Sequence, residues 1–171
     1  MAEQTPQDRL QPALLDRLTD DEPRSSVEPR ERRIVNLRRL RECVLRDLSW
    51  LLNTGTLSQV SDLSDYPEVE RSVLDYGVRD MAGTSLSGVD PGEMEKRIRQ
   101  AILDFEPRIL KRSLKVRSVP SGDPEHRNAI AIQIEGELWA QPIPLRLYLQ
   151  SEIDLEDGHM TVVDRSEGGA A

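Results

Sequence analysis

The chain is short of nearly everything that betrays a chemistry quickly. It has one cysteine, Cys43, which excludes an internal disulfide and a cysteine-rich zinc site. Cys43 falls inside a predicted helix and reads as a buried, inert thiol. Aromatic residues make up 4% of the 171, with a single Phe. That argues against a large aromatic-lined ligand pocket and against nucleic-acid binding by base stacking. The two histidines, His126 and His159, lie in predicted turns and no HExxH is present, so neither a metal site nor a Ser-His-Asp set can be assembled. The opening MAEQTPQDRL is polar, and no signal peptide or transmembrane helix is expected, so the chain should fold and work in the cytoplasm. Neither GxxxxGKS/T nor GxGxxG occurs, and the Gly/Ser-rich segment DMAGTSLSGVD at 80–90 reads as a connector. An excess of positive charge is lacking too, with 23 Lys and Arg against 31 Asp and Glu. A net charge of −8 and a pI near 4.9 exclude a general nucleic-acid binder.

What is present is organised around residues 90–119, DPGEMEKRIRQAILDFEPRILKRSLKVRSV. Asp90 can cap a helix, Pro91 suits its first position and Glu93 stands where a capping box needs it. Val89 and Met94 can form the accompanying hydrophobic staple. Met94, Ile98, Ala101, Ile102 and Phe105 then recur at helical spacing. Pro107 lacks an N–H and disfavours helix at Glu106, so the helix ends or kinks there and Glu106 and Arg108 sit on a bent piece of chain. Beyond it, Leu114, Val116 and Ser118 alternate with Lys115, Arg117 and Val119, as in a strand.

Residues 1–33 are mostly polar, with Pro6, Pro12, Pro23 and Pro29, and are expected to form a mobile arm. Residues 34–52 give the clearest helix, with Leu37, Leu40, Val44, Leu48 and Leu51 on one stripe and Asn53 and Gly55 to end it. A second helix is expected from Pro67, with Val69, Val73 and Tyr76 on its stripe and Gly77 as its stop. Ile130, Ile132, Ile134, Gly136 and Leu138 alternate with polar or small residues, as do Leu145, Leu147, Leu149, Ser151, Ile153 and Leu155. These read as two half-buried antiparallel strands joined near QPIP, with Met160–Val163 as a short last strand. The expected fold is α+β, with helices packed on one face of a small, mainly antiparallel sheet and a flexible N-terminal arm. One domain spans 34–165, and 166–171 form a disordered tail.

Few residues invite a functional reading. Leu14, Leu15 and Leu18 interrupt the polar arm. They form either a short helix docked on its own domain or a linear motif that folds onto a partner. Seven Arg and two Glu between Arg30 and Arg46 make the outer face of the first long helix basic, which suits an acidic partner. A glycosidase would need two carboxyls flanking a cleft, and Glu106 with Glu152 or Asp154 is the pair available. With Arg108 two residues away, Glu106 reads instead as half of an ion pair at a helix end.

Five collinear blocks carry a family resemblance: LLDRL at 14–18, VLRDLSWLLNT at 44–54, YPEVERSVLDYG at 66–77, IRQAILDFEPRIL at 98–110 and EIDLEDG at 152–158. Together they resemble the TssE family of type VI secretion baseplate subunits, which groups with a short wedge protein of contractile phage tails. The resemblance implies an assembly role without catalysis, cofactor or metal, in a cytoplasmic baseplate docked at the inner membrane complex. It implies wedge partners TssF, TssG and TssK and sheath partners TssB and TssC, with no nucleic acid and no membrane insertion. It also implies likeness to the strand-exchanging part of the sheath protein. A small meander leaves exposed edges, so the sheath is expected to pair by strand addition with an edge of this sheet, placed in Leu145–Leu155. Family members often carry a lysozyme label, so peptidoglycan hydrolysis is the alternative. Glu106, Pro107 and Arg108 match the family's motif and are carried over, with Leu14, Leu15 and Leu18, as interface candidates.

Overall fold

A computed structural model describes residues 13–19, 37–83, 88–119, 129–139 and 144–165. The expectations for the rest of the arm, the tail at 166–171, His126 and the turn around Pro142 lie outside the described residues. The described elements run α1 (Leu14–Leu18), α2 (Leu37–Leu52), α3 (Pro67–Glu70), α4 (Pro91–Phe105), β1 (Lys115–Val119), β2 (Ala129–Leu138), β3 (Leu145–Asp154) and β4 (Met160–Asp164). The strands form one antiparallel sheet in the order β1-β2-β3-β4. α2 packs against β4, α4 against β1, and the two helices touch each other. This is the α+β arrangement that the patterning predicts.

Period-2 alternation decides which face is buried. Val116, Ile134, Leu149 and Asp164 stand in register across the sheet, as do Ser118, Ile132, Ser151 and Val162. This face meets the apolar stripes of the helices. Val44, Leu48, Ile102, Ile132, Ile134, Leu149 and Ile153 are all completely buried there. The opposite face carries Lys115, Arg117, Gln133, Glu135, Tyr148, Gln150 and Glu152.

α4 begins as its sequence requires. The Asp90 carboxylate accepts from the N–H groups of Gly92 and Glu93. The capping box is not closed, because Glu93 turns forward to pair with Arg97 at 2.9 Å. The helix ends at Phe105, and Glu106 leaves it with φ −120° and ψ 80° ahead of Pro107. The expected helix over 66–77 is only partly there. α3 is four residues long, a 3-10 turn follows at Val73–Asp75, and Val73 is 80% exposed. The Val69-Val73-Tyr76 stripe has no surface to pack on as a unit. Gly77 closes this excursion at φ +133°.

Candidate functional site

The chemistry-bearing residues converge where α1, α2 and the end of α4 meet. Glu106 is 4% exposed. It is held by the residue that Pro107 places beside it: Arg108 donates to it from Nε at 2.7 Å, from Nη2 at 2.5 Å and from its backbone N–H at 3.1 Å. The same Nη2 reaches Asp47 of α2 at 2.5 Å. Asp47 in turn accepts from Nε and Nη2 of its neighbour Arg46, at 2.9 and 2.7 Å. Arg46 then reaches Asp16 of α1 at 2.6 Å and lays its guanidinium over the Trp50 ring, 5.0 Å from the centroid. The result is a continuous chain, Glu106–Arg108–Asp47–Arg46–Asp16. Tyr76 and Phe105 close edge to face beside it, with centroids 5.1 Å apart.

The electrostatics follow from this chain. Burial alone would lower the Arg108 pKa, but the hydrogen bonds and charges of Glu106 and Asp47 outweigh it and raise it further above its ordinary value. Burial pushes the Asp16 carboxyl up, yet Arg46 and the Cys43 thiol outweigh that and hold it below its usual value. Burial and the nearby Asp16 push the Cys43 thiol up, away from reactivity. Glu106, Arg108, Asp47 and Arg46 each hold a neighbour in place, while Asp16 Oδ2 is buried with no hydrogen-bond partner among the described residues. Such an arrangement fixes geometry.

The same chain explains α1. Asp16 faces inward with its side chain 6% exposed, while Leu14, Leu15 and Leu18 are 70, 46 and 73% exposed. The short helix is turned inside out, its polar residue docked on its own domain and its leucines presented outward.

The carboxyl pair that a glycosidase would need is not brought together. Glu152 and Asp154 lie on the polar face of β3, whereas Glu106 lies in the helix layer on the other side of the sheet. A cleft of about 600 Å³ does form, lined among others by Thr56, Arg71, Asp75, Arg97 and Phe105, but Glu106 does not line it. Among the described residues no group of three His, Cys, Asp or Glu side chains could hold a metal ion, and no helix is long and apolar enough to cross a membrane. The sequence reading found Glu106 and Arg108 but gave Asp47, Arg46 and Asp16 no role. Arg46 read only as part of a basic helix face and Asp47 carried no reading, because their partners are 30 and 61 residues away.

The sheet supplies a second feature. In antiparallel pairing, alternate residues turn their N–H and C=O groups away from the neighbouring strand. On β4 these are Met160, Val162 and Asp164, since Arg165 N–H turns inward to Tyr148 and His159 C=O inward to Asp154. Asn53 takes both groups of Met160, at 2.8 and 2.9 Å. No described group takes the N–H or C=O of Val162. The segment Leu145–Leu155, expected to offer an edge, does not. β3 is an inner strand, paired to β2 along its length and to β4 from Leu149.

Fold and site together define a small antiparallel sheet braced by two helices, with leucines turned outward on α1 and, on β4, a Val162 peptide group that no described group takes. A family model described as "Baseplate wedge protein gp25" matches residues 38–143, more than half of the chain, and the chain belongs to that family. It is a structural protein of a phage-tail-like baseplate. The match takes in Asp47 and Glu106–Arg108 but neither α1 nor β4. No curated protein and no solved structure matches the chain.

Proposed function

We propose that the chain is the TssE-type wedge subunit of a type VI secretion baseplate, linking the wedge core to the contractile sheath and helping to start sheath assembly. The observation that carries the link is the outward Val162 peptide group of β4, which no described group takes. An unpaired strand edge templates another chain's strand. Here the Val162 peptide faces outward beyond the Asn53 cap, with Val163 beside it 43% exposed. A strand of the sheath proteins TssB and TssC adds there. Leu14, Leu15 and Leu18 face the wedge partners TssF, TssG and TssK, and the Glu106–Arg108 pair keeps the α4-to-β1 turn in the shape that assembly requires. The subunit works in the cytoplasm, in a baseplate docked at the inner membrane complex.

The test is Val162→Pro. It removes an outward N–H without removing a bond of the β3–β4 ladder. The variant should keep its circular dichroism, melt lower because the Val162 side chain packs against the core, and yet, while still folded, fail to support polymerisation of purified TssB–TssC on assembled wedges. Normal sheath growth on the folded variant would reject strand addition at β4.

A further inference from the structure

Residues 53–78 leave the body of the molecule after α2 and return to it before α4. Their two ends are pinned together. The Val78 N–H donates to the Thr54 C=O at 2.9 Å, and Gly55 bridges to Val78. Between the pins the excursion folds into three short pieces: a 3-10 turn at Leu57–Gln59, α3, and a 3-10 turn at Val73–Asp75. The last touches the other two, so the three make one small unit. Polar groups hold it closed. The Asp75 carboxylate, 6% exposed, accepts from the Ser58 N–H at 2.6 Å. The Ser72 hydroxyl donates to the Val69 C=O at 2.9 Å and accepts from the Leu74 N–H at 3.2 Å. Gln59 Oε1 accepts from the Asp80 N–H at 3.0 Å.

Apolar groups face the other way. None of the three pieces buries a hydrophobic residue. Leu57, Val60, Tyr66, Val73 and Leu74 are all exposed, Val60 by 81% and Leu74 by 66%. A packed unit ordinarily hides its apolar side chains, whereas this one hides a carboxylate and displays them. Exposed apolar side chains grouped within a polar rim mark an interaction surface. The rim here has one sign. Asp62, Asp65, Glu68 and Glu70 are exposed, and Arg71 is the one cation between residues 57 and 75. Among the described residues no ion pair engages these four carboxylates.

We propose that this excursion docks a basic amphipathic segment of a partner protein. Leu57, Val73 and Leu74 receive its apolar side chains, and Asp65, Glu68 and Glu70 meet its Lys or Arg residues. Opposite sign steers such a segment here and away from the start of α2, which exposes Arg38 and Arg39. Because the polar clasp closes the unit without the partner, docking orders little chain and keeps most of the gain from burial. A second copy of this chain fits less well. Its basic residues on α2 are already paired, Arg38 with Glu42 at 3.2 Å and Arg39 with Glu42 at 3.6 Å, and Trp50, the exposed aromatic of that helix, lies under Arg46. The surface involves neither the α1 leucines nor the β4 edge, so it stands or falls apart from the assembly reading above.

Titration of the isotope-labelled full chain with two synthetic peptides, followed by NMR, tests this. The probe is a peptide of leucine and lysine in amphipathic helical spacing, and its counterpart carries glutamate for every lysine. The lysine peptide should shift the amides of residues 57–75. The glutamate peptide should reach them at least about tenfold more weakly, because like charges oppose it. Raising the salt from about 0.05 to about 0.5 M should weaken the lysine peptide several-fold, since exposed charges are screened. Leu74→Ser should keep the melting temperature within about 1 °C, because that side chain is exposed. It should still weaken the lysine peptide at least about tenfold, the loss expected when a buried leucine is removed. Asp65→Asn with Glu68→Gln should weaken it too and flatten its salt dependence. No binding of the lysine peptide, equal binding of the two peptides, shifts centred elsewhere, or undiminished binding by Leu74→Ser would overturn the proposal. Shifts of the same amides with rising protein concentration alone would overturn the partner assignment and make a second copy the occupant.

Discussion

Asp47 is the residue on which the interior charge chain turns, since it is the carboxylate that two arginines share. Its side chain is 23% exposed, as is that of Arg108, so water screens the pair only partly. Removing it leaves Arg46 and Arg108 facing each other without the carboxylate between them. Asp47→Ala should cost about 1.5–3 kcal/mol, the range for charge-assisted bonds, read as a lower urea midpoint at unchanged slope. An unshifted midpoint would mean that the chain is ornamental. Glu106 was legible because proline fixes its position locally and Arg108 lies two residues away. Asp47 was not, because nothing local marks one aspartate in a helix as the partner of an arginine 61 residues on. Only packing of α2 against the end of α4 brings them together.

Among the elements, α1 answers one half of an alternative that the sequence left open, docking on its own domain. Asp16 docks the helix on its own domain, and the leucines stay outside. Leu14→Ala with Leu18→Ala should therefore shift the stability of the isolated protein by no more than about 0.5 kcal/mol. The same pair should weaken binding to the wedge partners at least about tenfold, since each leucine is worth about 1.5–3 kcal/mol once buried. Pull-down of TssF and TssG by the double variant reads the second effect, and undiminished capture would remove the leucines from the interface. The segment 66–77 shows the opposite failure of legibility. Its apolar spacing suggests one helix, but a stripe makes a helix only where a surface receives it, and Val73 and Leu74 are exposed. What the segment needs is its return. Gly77 has φ +133°, and a Cβ there would lie 2.2 Å from the Thr54 carbonyl oxygen, beside the bond from Val78 N–H to that oxygen. Gly77→Ala should cost at least about 2 kcal/mol, combining backbone strain with the clash, and a thermal melt within 1 °C of wild type would contradict it.

For the whole molecule, alternation in the sequence was enough to name the strands and their buried faces, because a half-buried strand must alternate. It was not enough to say which strand is outermost, because edge or interior is a property of order in the sheet. That is why Leu145–Leu155 read as an edge and is an inner strand, and why the outermost strand opposite β1 is β4. The same ordering bears on the lysozyme label. Retaining and inverting glycosidases hold their two carboxyl groups about 5–10 Å apart across one cleft. Here Glu106 belongs to the helix layer, and Glu152 and Asp154 to the far face of the sheet, so the sheet itself stands between the acid and any partner on β3. Glu106 is moreover committed to Arg108, and releasing it to donate a proton would leave a buried guanidinium with one carboxylate fewer. Purified protein should therefore release no soluble fragments from peptidoglycan between pH 4 and 9, a span that brackets the pKa of about 6–7 to which a catalytic Glu is tuned. Glu106→Gln should leave that blank reading unchanged while lowering stability, because it removes the charge that Arg108 pairs with. Hydrolysis by wild type that disappears in Glu106→Gln would put a catalytic site where the geometry has an ion pair, and would overturn the assembly role argued from it.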